Sequence, residues 1–388
     1  MSLFAVRSVA RPPASLARLT VTSRLSPWAR SSQCSRFSTS MPLQRRQNSI
    51  AASYYRGGTS RAIMIQVKDL PADKSQWDPI FLGAIGSPDP YGRQLDGLGG
   101  GISSLSKICV VGPSTHPGAD VDYTFVSLGI KNTHVDYSSN CGNMTAAVGP
   151  FAVDSGLLPV TEGEGERTTV RIHNTNTKKI IHARFPMADG EAASTGDLAI
   201  DGVAGTAAPI ELRFIDPAGS RTGKLLPTGN PIDVFDGVRT TCIDAGNPCC
   251  FVQASELDVD GSLTPQQIDD HPNLKDRLES IRGQAAVKMG LADSLSSVPG
   301  SVPKIAIVSR PSASETEVVN LIARAMSVGQ PHKAIPVTVA LALAAGAKTP
   351  GTTVAECVVQ SDGDGSAMVV QHASGTLTVD ADFDGAGG

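Results

Sequence analysis

From about residue 50 the chain alternates short apolar runs with clusters of Pro, Gly, Asp and Asn, the pattern of strands broken by tight turns. The runs predict strands over 62–67, 108–111, 123–128, 168–173 and 180–185, and again over 304–309, 367–371 and 377–379. Two longer segments are apolar nearly all round. One covers 144–155 and is ended by Gly156; the other covers 335–345 and is ended by Gly346, read as a C′ glycine. A helix without a polar face is buried. With strands on either side, each is expected inside a curved sheet that wraps around it. Thr264 before Pro265 marks a helix start. An amphipathic helix is predicted over 274–289 and a further helix over 315–326.

The pattern is written twice. Tyr55-Arg56-Gly57-Gly58-Thr59 leads into an apolar strand, and so does Asp244-Ala245-Gly246-Asn247-Pro248. Ser106-Lys107-Ile108-Cys109 returns as Pro303-Lys304-Ile305-Ala306. Ser139-Asn140-Cys141-Gly142-Asn143 opens an alanine-rich segment, as does Gly329-Gln330-Pro331-His332-Lys333. Arg171-Ile172-His173-Asn174 is echoed by Val369-Val370-Gln371-His372. Landmarks recurring in one order describe a duplicated unit. The expected fold is α+β, with two pseudo-symmetric domains over 50–232 and 233–388, each a curved sheet or barrel around a central helix. Chemistry belongs in the cleft between them.

Charge and cysteine usage narrow the function. The first fifty residues carry eight arginines, no lysine and no acid. Residues 1–48 therefore read as a mitochondrial presequence or disordered tail, placing the protein in the matrix; translation from Met41 would leave it cytoplasmic. Without those eight charges the net charge falls from −4 to −12. An acidic body argues against nucleic acid or an anionic membrane as partner. No apolar run reaches the roughly 18 residues of a membrane span. The seven cysteines include no C-x-x-C pair and no zinc-ligand spacing, so no metal site is expected.

Cys141 is the first chemical candidate. At a helix N-terminus a thiol is drawn toward thiolate, and Gly142 lets a ligand approach the backbone. Lys107 follows the turn Gly99-Gly100-Gly101-Ile102-Ser103-Ser104 and precedes a buried strand. Partial desolvation there favours a usable base, although most lysines at strand ends are solvated. The glycine triplet lacks the G-K-[ST] of a phosphate loop. Cys249 lies in the echo of the first strand and reads as packing. His332-Lys333 opens the second helix, as a carboxylate-binding pair or a cap.

Five segments in order resemble the 2-methylaconitate cis–trans isomerase family, over about residues 52 to 380. They are Arg56-Gly57-Gly58-Thr59-Ser60, Gly99-Gly100-Gly101 with Ser103-Ser104-Leu105-Ser106-Lys107, Ser139 to Thr145, Asp244 to Pro248, and Ala323 to Ala334. The family is similar to the diaminopimelate epimerase superfold, whose two halves each hold a central helix. The resemblance implies a site without cofactor or metal in which Lys107 and Cys141 move protons. It implies substrate contacts from Gly58, Thr59, Ser103, Ser104, Asn140, Gly142, Asn143, Asn247, Ser327, His332 and Lys333. Ser139 stands where the family commonly has glycine, and Arg61 where lysine is frequent. A further strand or helix is expected beyond Gly388.

The implied reaction is isomerisation of an unsaturated di- or tricarboxylate of the aconitate type. A proton allylic to the double bond leaves, the carbanion spreads into a carboxylate, and a proton returns. Lys107 is expected as base and Cys141 as donor, or the reverse. An amino-acid or hydroxy-acid racemase is the alternative enzyme, disfavoured because the second half lacks a matching cysteine. A non-catalytic tricarboxylate-binding homologue is the alternative from another class. The partner is a small carboxylate; a homo-oligomer is compatible with the sequence.

Overall fold

A computed structural model describes residues 2–9, 49–159, 167–312, 319–360 and 367–383. Its strands fall into two groups that repeat one order and one sense. In the first, the hairpin Ser53–Gly57 and Ser60–Gln66 turns at Gly58. Its second strand runs parallel to Lys107–Pro113, which is antiparallel to Val121–Leu128, which is parallel to Arg167–Asn174. Lys179–Ala188 and Pro209–Ile215 follow, each antiparallel to the strand before it.

The second group repeats this through Val238–Asp244, Pro248–Gln253, Lys304–Ser309, Leu321–Ser327, Met368–His372 and Gly375–Val379. Each pairing has the sense of its counterpart. The repeated glycines have a physical reason: Gly58 and Gly246 both turn their hairpins with positive φ, +51° and +74°.

Each group surrounds the helix its sequence anticipated. Gly142–Asp154 is buried from Gly142 through Val153, and Val337–Ala347 from Val337 through Gly346. The two helices share one apolar core that includes Met144, Val148, Leu341 and Phe251. Gly346 lies inside the second helix and is not its C′ residue. A Cβ there would come within 2.9 Å of Ile243, so close packing explains the glycine. Gly156, at φ +70°, does follow the first helix as anticipated.

Outside these sheets, Thr264 caps Pro265–Asp270 with a full capping box. Leu274–Lys288 packs Leu278 and Ile281 against Ile305 and Ile307 in a second core. The expected helix over 315–326 is not present as such. Leu321–Ser327 is a strand, and residues 313–318 lie outside the described residues. The backbone of Ser2–Val9 pairs with Pro209–Ile215 and with Ser53–Gly57, closing the first group into a ring. The rest of the segment read as a presequence lies outside the described residues.

Candidate active site

Cys141 occupies the N-cap position of Gly142–Asp154 in extended conformation, φ −102° and ψ 95°. Its side chain makes no capping bond, and the thiol is partly exposed. The first backbone N–H groups of the helix have no intrahelical partners and face the same space. The second half fixes this segment in place. Asn247, fully buried, accepts from the Asn140 N–H at 3.0 Å and donates to the Asn140 carbonyl at 2.6 Å.

The first half does the reciprocal service. The Asn143 amide oxygen accepts from the N–H of Val337, the first residue of the second central helix, at 3.0 Å. Its Nδ2 donates to Thr59 Oγ1 at 2.8 Å. The two helix N-termini are thereby clasped together, with N-caps Cys141 and Pro336 in equivalent places.

Between them is a small pocket of about 30 Å³, room for a water or two. Its lining holds Lys107, Lys304, Cys141, His332, two asparagines and seven serines, and no carboxylate. The Lys107 ammonium lies 5.1 Å from the centroid of the Phe125 ring, within cation–π range. Lys304 donates to the Ser301 carbonyl at 3.0 Å. Burial lowers its amine below the ordinary lysine value; the neighbouring Cys249 opposes the drop and Lys107 adds to it. Burial also takes His332 down to about 4, so its ring is neutral at neutral pH. Its Nδ1 accepts from the Ala334 N–H at 3.1 Å. Asn140 Nδ2 is buried with no hydrogen-bond partner among the described residues. Such a donor costs about 1–3 kcal/mol until something accepts from it.

Residues 47–388 match the PrpF protein family. The chain is a PrpF-family isomerase. It is 40% identical over 340 residues to the 3-methylitaconate isomerase of Eubacterium barkeri, covering 84% of this chain and 88% of that protein. It is 37% identical over 358 residues to the 2-methyl-aconitate isomerase of Shewanella oneidensis, covering 86% and 90%. Among solved structures, that of methylitaconate-delta-isomerase superposes with a TM-score of 0.69 at 38% identity, covering 87% of this chain and 89% of that one.

The isomerase brings nine of the anticipated residues to the pocket: Lys107 and Cys141, then Ser103, Ser104, Asn140, Gly142, Asn143, Ser327 and His332. Four stand elsewhere. Asn247 is fully buried behind Asn140 and acts by positioning it. Gly58 and Thr59 line a different cleft, beside Asp201 and His372, on the far side of Asn143. Lys333 is exposed and is not part of the lining.

The echo of Asn140-Cys141-Gly142 with His332-Lys333 was also placed too early. Gln330–Pro331 is a short strand against Leu321–Ser327, the helix starts at Val337, and the structural counterpart of Cys141 is Pro336. Cys249 is packing, as read: it is fully buried, with its thiol raised to about 12 by that burial.

Lys304, Ser127, Ser139, Ser301 and Val328 reach the pocket without having been singled out. The signal for Lys304 was in plain view, since the repeat sets Pro303-Lys304-Ile305 against Ser106-Lys107-Ile108. Val328 has φ +51°, a left-handed conformation that strains a β-branched side chain, and it holds its place at the pocket wall.

Proposed function

We propose that this isomerase moves or rotates the double bond of unsaturated di- and tricarboxylates of the aconitate and itaconate type. The observation that carries the reading is the charge of the pocket. In a chain of net charge −4, its lining has two lysines, two helix N-termini and no carboxylate. Such a lining selects a small polyanion. The substrates named for the two related isomerases, 3-methylitaconate and 2-methyl-aconitate, belong to that chemistry.

The carbon acid in such a molecule is weak, so stabilising the enolate-like carboxylate carries most of the barrier. The unpaired Asn140 Nδ2 and the helix N–H groups at Gly142 and Asn143 are donors for that charge. One well-placed donor contributes about 3–4 kcal/mol. Lys107 and Cys141 handle charge and proton at one end of the allylic system. A two-thiol racemase mechanism is disfavoured because Pro336 occupies the place equivalent to Cys141. With room for little more than water, the pocket closes around its substrate, excludes solvent and limits proton leakage.

The test is a panel of trans-aconitate, 2-methylaconitate and methylitaconate followed by proton NMR in deuterated water. The wild-type protein interconverts isomers of at least one of them and incorporates deuterium. Lys107→Ala and Cys141→Ser each lower the rate by a factor on the order of 10²–10⁴. Full activity in either variant removes that residue from the mechanism, and an inert wild type removes the substrate class.

A further inference from the structure

Asp136 ends the short strand Val135–Asp136, whose pairing with Val121–Leu128 sets it opposite Ser127 of the pocket lining. From Asp136 the chain runs on into Ser139, Asn140 and Cys141, three more residues of that lining. Asp136 itself is 6% exposed and stands behind the lining. A carboxylate buried this deeply has to be hydrogen-bonded. Its Oδ1 accepts from the Ser138 N–H at 2.7 Å and from the Ser138 hydroxyl at 2.5 Å, a local turn. Its Oδ2 crosses to the other half and accepts from the N–H of buried Ser301 at 3.1 Å. Burial pushes this carboxyl up, and the bonds from Ser138 and Ser301 outweigh it, leaving it below the ordinary aspartate value.

Ser301 belongs to the segment 299–303, which leads into Lys304. The Arg282 guanidinium, on the helix Leu274–Lys288, donates to the Pro299 and Val302 carbonyls at 2.9 and 3.3 Å and is itself held by Glu279. Arg282 therefore ties the segment to the second half. Asp136 ties it to the first half, and does so at Ser301, whose carbonyl accepts from Lys304 Nζ at 3.0 Å. One residue thus joins a first-half carboxylate through its N–H to a second-half amine through its C=O. The halves meet again at the same residue, where the Ser138 and Ser301 hydroxyls lie 3.0 Å apart.

We propose that Asp136 is a positioning residue for substrate binding: acting through Ser301, it sets Lys304 Nζ in register against a carboxylate of the substrate. The first half, which carries Lys107 and Cys141, thereby also places the anchor contributed by the second. A displaced anchor weakens the hold on an anion and leaves Lys107 and Cys141 where they were. The effect falls on KM and Kd and spares kcat.

The inference rests on the isomerase reading and is tested in the full chain with Asp136→Asn, Lys304→Met and the two combined. The probe is tricarballylate, the saturated analogue of aconitate, which has no double bond to move. Calorimetry gives its Kd, and KM and kcat come from the unsaturated carboxylate that wild type turns over. Asparagine keeps the shape of Asp136 but loses the charge that holds the Ser301 N–H. Asp136→Asn raises Kd and KM about tenfold, and at least threefold, with kcat within threefold of wild type. Lys304→Met raises Kd at least as much. With Lys304 already replaced, adding Asp136→Asn changes Kd less than twofold. A carboxylate that only stabilised the loop would weaken binding in both backgrounds.

A Kd for Asp136→Asn less than threefold above wild type overturns the proposal, as does a kcat that falls further than KM rises. So does a further loss of twofold or more when Asp136→Asn is added to Lys304→Met, a comparison that stands even where the single Asp136→Asn protein does not fold. A wild type that neither binds tricarballylate nor isomerises any unsaturated carboxylate of the panel sinks the isomerase reading and this proposal together. A wild type that does both, with Asp136→Asn binding the probe equally well, sinks this proposal alone.

Discussion

At the scale of single residues, His332 has a measurable signature. Burial lowers it from an ordinary value of 6.5 to about 4 in the folded protein. The unfolded chain therefore binds a proton more readily than the folded one between those values. Stability is fully present above pH 6.5 and falls as pH drops through the window from 6.5 to about 4, by about 1.4 kcal/mol per unit for this one group. Carboxylates add slopes of their own, so the difference from a variant is what isolates the histidine. His332→Asn flattens the pH dependence of denaturant midpoints across that window relative to wild type. Parallel curves for the two proteins would mean that His332 is solvated and titrates normally. The environment responsible was not legible in the sequence, which placed His332 at a helix start; its burial comes from the strand contact of Gln330–Pro331 with Leu321–Ser327.

At the scale of elements, what the sequence showed clearly was whatever had a period or a punctuation mark. Strands bounded by Pro, Gly and Asp, and helices apolar all round, were read to within a few residues. The run Leu321-Ile322-Ala323-Arg324-Ala325-Met326 was not, because its residues are good helix formers and both of its faces are buried. Pairing with Lys304–Ser309 on one side and Met368–His372 on the other decides its conformation. Even its arginine is accommodated, donating to the carbonyls of Leu263 and Ser262.

The meeting of the two central helices was also hidden, since it depends on cross-bonds between halves. Gly142 is the tightest point of that meeting: a Cβ there would lie 2.7 Å from Val337 Cγ1. Gly142→Ala is expected to push the helix starts apart at a cost of about 1–3 kcal/mol. Its Tm falls, and its kcat falls more than its stability loss explains, because Cys141 and the Asn143–Val337 bond move with the helix. An unchanged Tm would show that Val337 yields without disturbing the helix contact.

At the scale of the whole molecule, the duplication was the most legible property and the closure of its halves the least. The pocket between the halves measures about 30 Å³, less room than the proposed carboxylate substrate needs. The halves are joined on the inside by the asparagine clasp and by Ser103 N–H to Gln330 Oε1 at 3.3 Å. They are joined on the outside by a projection of the first half. The two-stranded hairpin Leu198–Ala199 and Thr206–Ala207 carries Asp201, whose carboxylate accepts from the Thr376 N–H of the second half at 2.6 Å. On the proposed function, substrate entry is expected to require release of these contacts.

The inner bonds hold the reacting groups, so the outer one is the place to perturb opening without touching the chemistry. Asp201 is exposed, and removing its hydrogen bond destabilises the closed form by about 1 kcal/mol. Asp201→Ala therefore speeds opening by up to about fivefold. It raises kcat/KM where entry limits the rate, lowers Tm slightly, and increases amide exchange over Gly375–Val379. If Tm falls and exchange rises while kcat/KM stays at the wild-type value, the hairpin fastens the second sheet but does not gate the site. Entry would then be controlled by the inner contacts at Ser103 and Gln330.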